Sequence, residues 1–107
     1  MQDQTAKADA NKIRLTMIPT KALWAAGAIY EYGRTKYPSS PDNWKDVSIE
    51  RYRDAAFRHF LAYLDHPDGN DEESGLPILW HFLWNAITLT ALQETDYEFK
   101  DGKLVHK

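Results

Sequence analysis

The stretch that decides the fold is SGLPILWHFLWNAITLTALQE, residues 74–94. A helix drawn through it begins near Ser74, reaches about Glu94 and has Pro77 in its first turn, where the missing N–H costs little. Its apolar residues lie on nearly all sides: Leu79, Trp80, Phe82, Leu83, Trp84, Ala86, Ile87, Leu89 and Leu92. A helix that is apolar all round is buried, in its own chain or against another subunit. The sequence therefore predicts a homo-oligomer, because a chain of this length offers few other helices to cover it.

Two further helices precede this one. Apolar residues at helical spacing predict a first helix from about Thr20 to Tyr32, with Gly33 as its C-terminal stop. The segment SIERYRDAAFRHFLAYLDH, residues 48–66, predicts a second helix that Pro67 ends.

The C-terminal tail has a hairpin pattern. Asp101-Gly102, between YEFK and KLV, is typical of a two-residue β-turn. The predicted fold is all-α, with three main helices and a short C-terminal β-hairpin. We expect a flexible N-terminal segment over 1–12, a helical domain over 13–95 and the hairpin tail over 96–107.

Composition excludes several classes of protein. The 107 residues suit one domain, and the absence of cysteine excludes disulfides and thiol catalysis. A net charge of −3 argues against a partner that is a nucleic-acid polymer. No apolar run approaches the roughly 20 residues of a membrane span, and the polar N-terminus does not resemble a secretory signal. These observations predict a cytoplasmic protein with no membrane partner.

The second predicted helix carries Asp54, Arg58 and His59. Asp54 and Arg58 are four residues apart and therefore neighbours on one face, which is the pattern of a solvated ion pair as well as of a polar site. His59 precedes Phe60, so it is either a hydrogen-bonded core histidine or a group that transfers protons.

An acidic loop, with Asp71, Glu72 and Glu73, leads into the third helix. Carboxylates before a helix N-terminus interact favourably with the helix dipole, so helix capping is one interpretation. The other is a site for a hard cation such as Mg²⁺, which takes carboxylate oxygens together with substrate phosphates.

His81, Asn85 and Thr88 form a polar stripe through the very apolar third helix. Burying such groups without partners costs about 1–3 kcal/mol each, so they must meet polar groups, a ligand or water. A hydrogen-bonded network and a ligand pocket both satisfy this requirement. Two further candidates for ligand contacts are Lys36, a cation, and Asn43-Trp44, whose indole ring can stack on a base.

The order and spacing of these residues resemble one family, the phage-borne N-terminal domain of dATP/dGTP diphosphohydrolase. The resemblance covers about residues 11–93 and rests on these positions: Lys12-x-Arg14, Ile18-Pro19, Tyr32-Gly33, Lys36-Tyr37, Asn43-Trp44, Asp54-Ala55-x-x-Arg58-His59, Asp71-x-Glu73-Ser74-Gly75, His81 and Asn85. It implies a small helical nucleotide-handling protein, loosely similar to MazG-type pyrophosphohydrolases, in the host cytoplasm. The EExxE and ExxD motifs of those enzymes are absent, and Pro77-Ile78 stands where the family usually has a second histidine.

The resemblance implies a metal-dependent hydrolase that converts a deoxynucleoside triphosphate to a monophosphate and pyrophosphate. In this interpretation Mg²⁺ or another divalent cation binds Asp71 and Glu73, while His59 and Asp54 are catalytic. The substrate-binding residues would be Lys36, Asn43, Trp44, Arg58, His81 and Asn85. The alternative is a phage protein that binds a nucleotide or sequesters a nucleotide signal without turnover.

Overall fold

The computed structural model describes residues 12–36 and 43–107, and confirms the predicted all-α fold with a C-terminal hairpin. Its elements are α1 (Thr20–Lys36), α2 (Ile49–Asp65), α3 (Ile78–Leu92), β1 (Tyr97–Lys100) and β2 (Lys103–His106), with 3-10 turns at Leu15–Met17 and Asn43–Asp46. Almost all of the segment that we expect to be flexible lies outside the described residues. Within the described ranges, no helix is long and apolar enough to cross a membrane.

The described chain divides into two compact units. One is helical and comprises residues 19–36 and 43–93, while the other joins residues 12–18 to the hairpin segment 94–107.

The second helix has the bounds that the sequence predicts. Ser48 is its N-cap, and the serine hydroxyl accepts a hydrogen bond of 3.3 Å from the Arg51 N–H. This contact satisfies one of the N–H groups that the first turn leaves without a partner. The helix ends at Asp65, with His66 as its C-cap, directly before Pro67.

The first helix extends beyond its predicted end. It continues through Gly33 to Lys36, so the expected stop at Gly33 is wrong. A glycine ends a helix when its backbone enters the left-handed region, and only Gly75 and Gly102 have a positive φ among the described glycines. Gly33 instead keeps helical geometry, at some cost in backbone entropy.

The third helix begins later than predicted. Pro77 is its N-cap rather than part of its first turn, and the first helical residue is Ile78. The preceding residues form a closed loop, because Asn70 and Pro77 make an isolated β-bridge and the Ile78 N–H donates to the Gly69 carbonyl at 3.0 Å. Residues 74–76 therefore belong to a turn.

The second and third helices pack antiparallel. Tyr52, early in α2, meets Trp84, whereas His59, later in α2, meets His81, nearer the start of α3. The first helix also packs against α3, where the Tyr30 and Trp84 ring centroids are 5.5 Å apart. The buried apolar core of the described chain is small and consists of Ala25, Ala26, Ile29 and Tyr52.

The hairpin follows the predicted turn. Lys100 pairs with Lys103, and the two turn residues Asp101 and Gly102 have φ values of 53° and 77°. Both values are positive, as a tight type I′ turn requires. In the same unit the Ile13 N–H donates to the Gly102 carbonyl at 2.7 Å, which joins the segment before α1 to the turn.

Alanine substitutions at two glycines should have opposite effects. A Cβ at Gly33 meets nothing within 4 Å, so Gly33→Ala should raise the free energy of unfolding by about 0.5–1 kcal/mol through its better helix propensity. A Cβ at Gly75 also meets nothing within 4 Å, but Gly75 has a φ of 75°. Gly75→Ala should therefore lower the free energy of unfolding by roughly 1–2 kcal/mol. Urea unfolding followed by circular dichroism measures both, with Gly27→Ala as a second helical control. Destabilisation by Gly33→Ala would contradict the helix assignment.

Candidate functional site

Each residue of the polar stripe on α3 has a partner on a different part of the helical unit. His81 Nε2 lies 2.7 Å from Ser74 Oγ in the loop, and Asn85 Oδ1 lies 2.6 Å from His59 Nδ1 on α2. Thr88 Oγ1 lies 2.8 Å from the Tyr30 hydroxyl on α1. All three stripe residues are buried. The hydrogen-bonded network is therefore present, and His81 and Asn85 of the stripe also line a pocket.

The pocket, which we call the His59–His81 pocket, opens between the three helices and the acidic loop. Its volume is about 450 Å³, within the range of small-molecule sites. The lining residues that sequence analysis predicts for the site are Lys36, His59, Asp71, Glu73, His81 and Asn85. The others are Ile29, Tyr32, Val47, Arg51, Tyr52, Ala55 and Trp84. The pocket thus combines cations, carboxylates, imidazoles and aromatic rings.

Two stacked imidazoles form the centre of this pocket. The rings of His59 and His81 are 5.2 Å apart at an angle of 26°. With the amide oxygen of Asn85 facing His59, that oxygen accepts a hydrogen bond from His59 Nδ1, and Nε2 is the unprotonated nitrogen of the corresponding tautomer. Asn85 thereby sets the tautomer of His59, as second-sphere partners of functional histidines commonly do.

Two buried N–H groups next to the pocket have no hydrogen-bond partner in the described part of the chain. They are Trp84 Nε1 and the side-chain Nδ2 of Asn85. If the Asn85 amide were rotated by 180°, it would donate to His59 and leave its oxygen unpaired, so one of its polar atoms lacks a partner in either orientation. Unpaired buried groups cost about 1–3 kcal/mol, which is a cost that a bound polar ligand can relieve.

The acidic loop is held by its own backbone. Asp71 Oδ2 accepts hydrogen bonds from the N–H groups of Glu73, at 3.1 Å, and Ser74, at 2.9 Å. Burial alone would raise the pKa of Asp71, but these hydrogen bonds and the nearby His81, 3.8 Å away, lower it overall. The carboxylate is therefore ionised at neutral pH and stabilises the turn before α3.

Glu73 and Lys36 form an ion pair at the edge of the pocket. A hydrogen bond from Lys36 and another from Tyr32 lower the pKa of Glu73. Burial, together with the Glu73 carboxylate, raises the pKa of Tyr32, so this phenol keeps its proton at neutral pH. The rim of the pocket thus has a cation, an anion and a hydroxyl donor in contact.

His81 is neutral at physiological pH. Burial lowers its pKa, and the proximity of His59 lowers it further, whereas the carboxylates of Asp71 and Glu73 act in the opposite direction. Desolvation has the larger effect because the ring is 8% exposed.

The aromatic wall of the pocket is also fixed by hydrogen bonding. The Tyr52 hydroxyl donates to the backbone carbonyl of Trp44 at 2.6 Å, and burial raises the pKa of Tyr52 to about 12. The Trp44 ring packs edge-on against Tyr30, with centroids 5.8 Å apart, and does not line the pocket. The sequence predicts that this indole contacts a base. The tyrosine and tryptophan rings that line the pocket are instead those of Tyr32, Tyr52 and Trp84.

The structure places Asp54 and Arg58 on the exposed part of α2, outside the pocket lining. Asn43 begins a 3-10 turn, but its side chain lies outside the described part of the chain. The cation that α2 contributes is Arg51. The face of α2 that lines the pocket has a signal in the sequence. It is the spacing of four residues that separates Arg51, Ala55 and His59.

The described ranges contain no group of three or more His, Asp or Glu side chains arranged to hold a metal ion. Asp71 and Glu73, the expected metal ligands, both line the pocket, and the Glu73 side chain is 61% exposed. A Mg²⁺ ion that arrives with a nucleotide is usually held by one or two carboxylates together with the substrate phosphates. The two carboxylates therefore fit that mode of binding.

These features define a class: a small all-α domain with a charged and aromatic pocket between its helices. A family model described as dATP/dGTP diphosphohydrolase, N-terminal, matches residues 2–102, and the chain belongs to this family. The resemblance noted from the sequence is thereby confirmed. Comparison with the curated proteins and with the solved structures gives no significant match.

Acidification should destabilise the folded chain through His81. The unfolded chain takes up a proton at this residue near the ordinary pKa of about 6.5, and the folded chain does so only at lower pH. This stability is therefore present above the unfolded pKa and is lost as the pH falls towards the folded pKa. Urea unfolding at about pH 7.5 and about pH 5.5 measures the loss. His81→Gln should show a smaller loss, and an equal loss would contradict this assignment.

Proposed function

We propose that the His59–His81 pocket binds a deoxynucleoside triphosphate and that the chain hydrolyses it to a monophosphate and pyrophosphate. The observation that carries the proposal is the convergence of two stacked imidazoles, two carboxylates and the cations Lys36 and Arg51 on one pocket. Such a concentration of titratable groups in a pocket is typical of a functional site. The family description, which names dATP and dGTP, supports this class of substrate.

The polyphosphate would contact the two cations that line the pocket. Arg51, on α2, has a planar guanidinium that can bind phosphate oxygens in a bidentate manner. Lys36, at the end of α1, would exchange its ion pair with Glu73 for a contact with phosphate. The base would lie against the aromatic side chains of Tyr32, Tyr52 and Trp84 and accept a hydrogen bond from one of the unpaired N–H groups.

His59 is the best candidate for the group that accepts the proton of the attacking water. Its Nδ1 is occupied by Asn85, so the lone pair of the neutral ring lies on Nε2. The water oxygen would attack the α-phosphorus, the bond from that phosphorus to the bridging oxygen would break, and pyrophosphate would leave. The water proton would pass to His59 Nε2.

Asp71 and Glu73 would hold a divalent cation that enters with the nucleotide. When bound, Mg²⁺ would neutralise charge on the phosphate oxygens. This assignment of the metal residues is part of the proposal.

A second candidate function is nucleotide binding without turnover. The observation that favours it is that both carboxylates already have partners in the chain. Asp71 accepts hydrogen bonds from backbone N–H groups of its own loop, and Glu73 forms an ion pair with Lys36. In this case the same cations and aromatic rings would hold the ligand, and no metal would be needed. The two functions differ in whether pyrophosphate appears.

Product analysis after incubation with dATP or dGTP and Mg²⁺ tests turnover. We expect monophosphate and pyrophosphate from the unmodified chain. Asp71→Asn and Glu73→Gln should each lower kcat by at least about 100-fold if they hold the metal, since each removes a charge and keeps the size of the side chain. Asparagine can still accept the backbone hydrogen bonds that Asp71 accepts, so circular dichroism should be unchanged. Binding without any product would favour the second candidate.

A pair of arginine variants tests which cation of α2 contacts the ligand. Arg51→Ala should weaken nucleotide binding by about 10–100-fold, because it removes a charge-assisted contact from the pocket lining. Arg58→Ala changes the same residue type on the same helix outside that lining and should change the dissociation constant by less than about threefold. Isothermal titration with dGTP measures both constants. The reverse order of effects would return Arg58 to the role expected from the sequence.

A further inference from the structure

The outer side of α2 carries a continuous stripe of exposed apolar side chains. Phe57, Phe60, Leu61 and Leu64 lie at positions i, i+3, i+4 and i+7, and therefore on one face of the helix. Their exposed fractions are 63%, 38%, 45% and 56%. This spacing is typical of a helix that packs along another helix.

An apolar groove widens the stripe towards α3. Its volume is about 310 Å³, and its lining residues are Arg53, Ala56, Phe57, Phe60, Phe82 and Leu89. The rings of Phe60 and Phe82 are in contact, with centroids 5.3 Å apart. Scattered exposed apolar residues are ordinary in monomers, but a contiguous patch of this kind marks an interaction surface.

We propose that this face of α2 binds the same face of a second copy of the chain, with the two helices antiparallel about a two-fold axis. The axis would pass between Phe60 and Leu61. Phe60 would then lie opposite the partner's Leu61, and Phe57 opposite the partner's Leu64, because each pair is equidistant from the axis. The stripe is thus complementary to itself, as a two-fold interface requires.

The charges beside the stripe fit this arrangement. Arg58 and Asp65 are seven residues apart, so they lie on the same flank of α2 but about 10 Å apart along it, too far to pair within one chain. In the antiparallel pair, Arg58 would lie about 3 Å along the axis from the partner's Asp65, within reach of its side chain. Asp54 lies on the same flank four residues before Arg58, so each arginine would bridge two carboxylates.

This interface is separate from the nucleotide pocket. None of the four stripe residues lines the His59–His81 pocket, and the proposal holds whether or not the pocket turns over a nucleotide. It also moves the predicted oligomer contact from the third helix to the second. Trp84, one of the apolar residues of the third helix on which the predicted oligomer rests, contacts Tyr30 and Tyr52 within the helical unit.

Sedimentation of the full chain tests the interface. The unmodified chain should sediment as a dimer at micromolar concentration. Leu61→Glu places a charge at the centre of the stripe and should raise the dissociation constant by at least about 30-fold, the effect of losing a central interface residue. Trp24→Glu is the matched control, because Trp24 is 80% exposed on α1, and it should leave the dimer unchanged. Circular dichroism should show unchanged helix content in both variants.

A charge exchange tests the two-fold register. Arg58→Asp places a carboxylate beside the partner's Asp65 and should weaken the dimer by about tenfold, and adding Asp65→Arg should restore it. Because these residues cannot meet within one chain, restoration can arise only between chains. A monomeric unmodified chain, or a dimer that Leu61→Glu leaves intact, overturns the proposal. So does a dimer that is disrupted by Trp24→Glu, or by Phe99→Glu in the hairpin, and not by Leu61→Glu.

Discussion

Three buried polar side chains of one helix need hydrogen-bond partners. The arrangement of the helical unit follows from where those partners lie. His81, Asn85 and Thr88 lie in a row on α3 and find partners in the loop, on α2 and on α1 respectively. Each bond ties a different element to the same helix. Because an unpaired buried polar group costs about 1–3 kcal/mol, displacing any of these elements would carry a penalty beyond the loss of apolar contacts.

The same constraint creates the pocket. The bond between Asn85 and His59 brings the imidazole of α2 against that of His81, and the loop that bonds His81 presents Asp71 and Glu73 to the same space. The opening is therefore lined by hydrogen-bonded groups that differ in charge.

The helical unit buries little apolar surface for its composition. Two of its four buried apolar residues in the described chain are alanines, while large side chains such as Trp24 and Phe57 are exposed. The hydrophobic effect scales with apolar area removed from water, so a single copy leaves much of its available stabilisation unrealised. The apolar content of the third helix predicts a further partner, whereas the exposed apolar stripe on α2 became visible only in the tertiary structure.

The sequence by itself determined the number of helices, the bounds of the second helix, the hairpin turn and the membership of a family, because these depend on local periodicity, on turn chemistry and on residue order. It also identified six residues of the pocket. Only the tertiary structure decided that Arg51 rather than Arg58 lines that pocket, that the rings of Tyr32, Tyr52 and Trp84 form its wall, and that Asp54 faces outward. The reason is rotational: neighbouring positions on a helix differ by about 100°, and which of them faces the pocket is set by how α2 packs against α3.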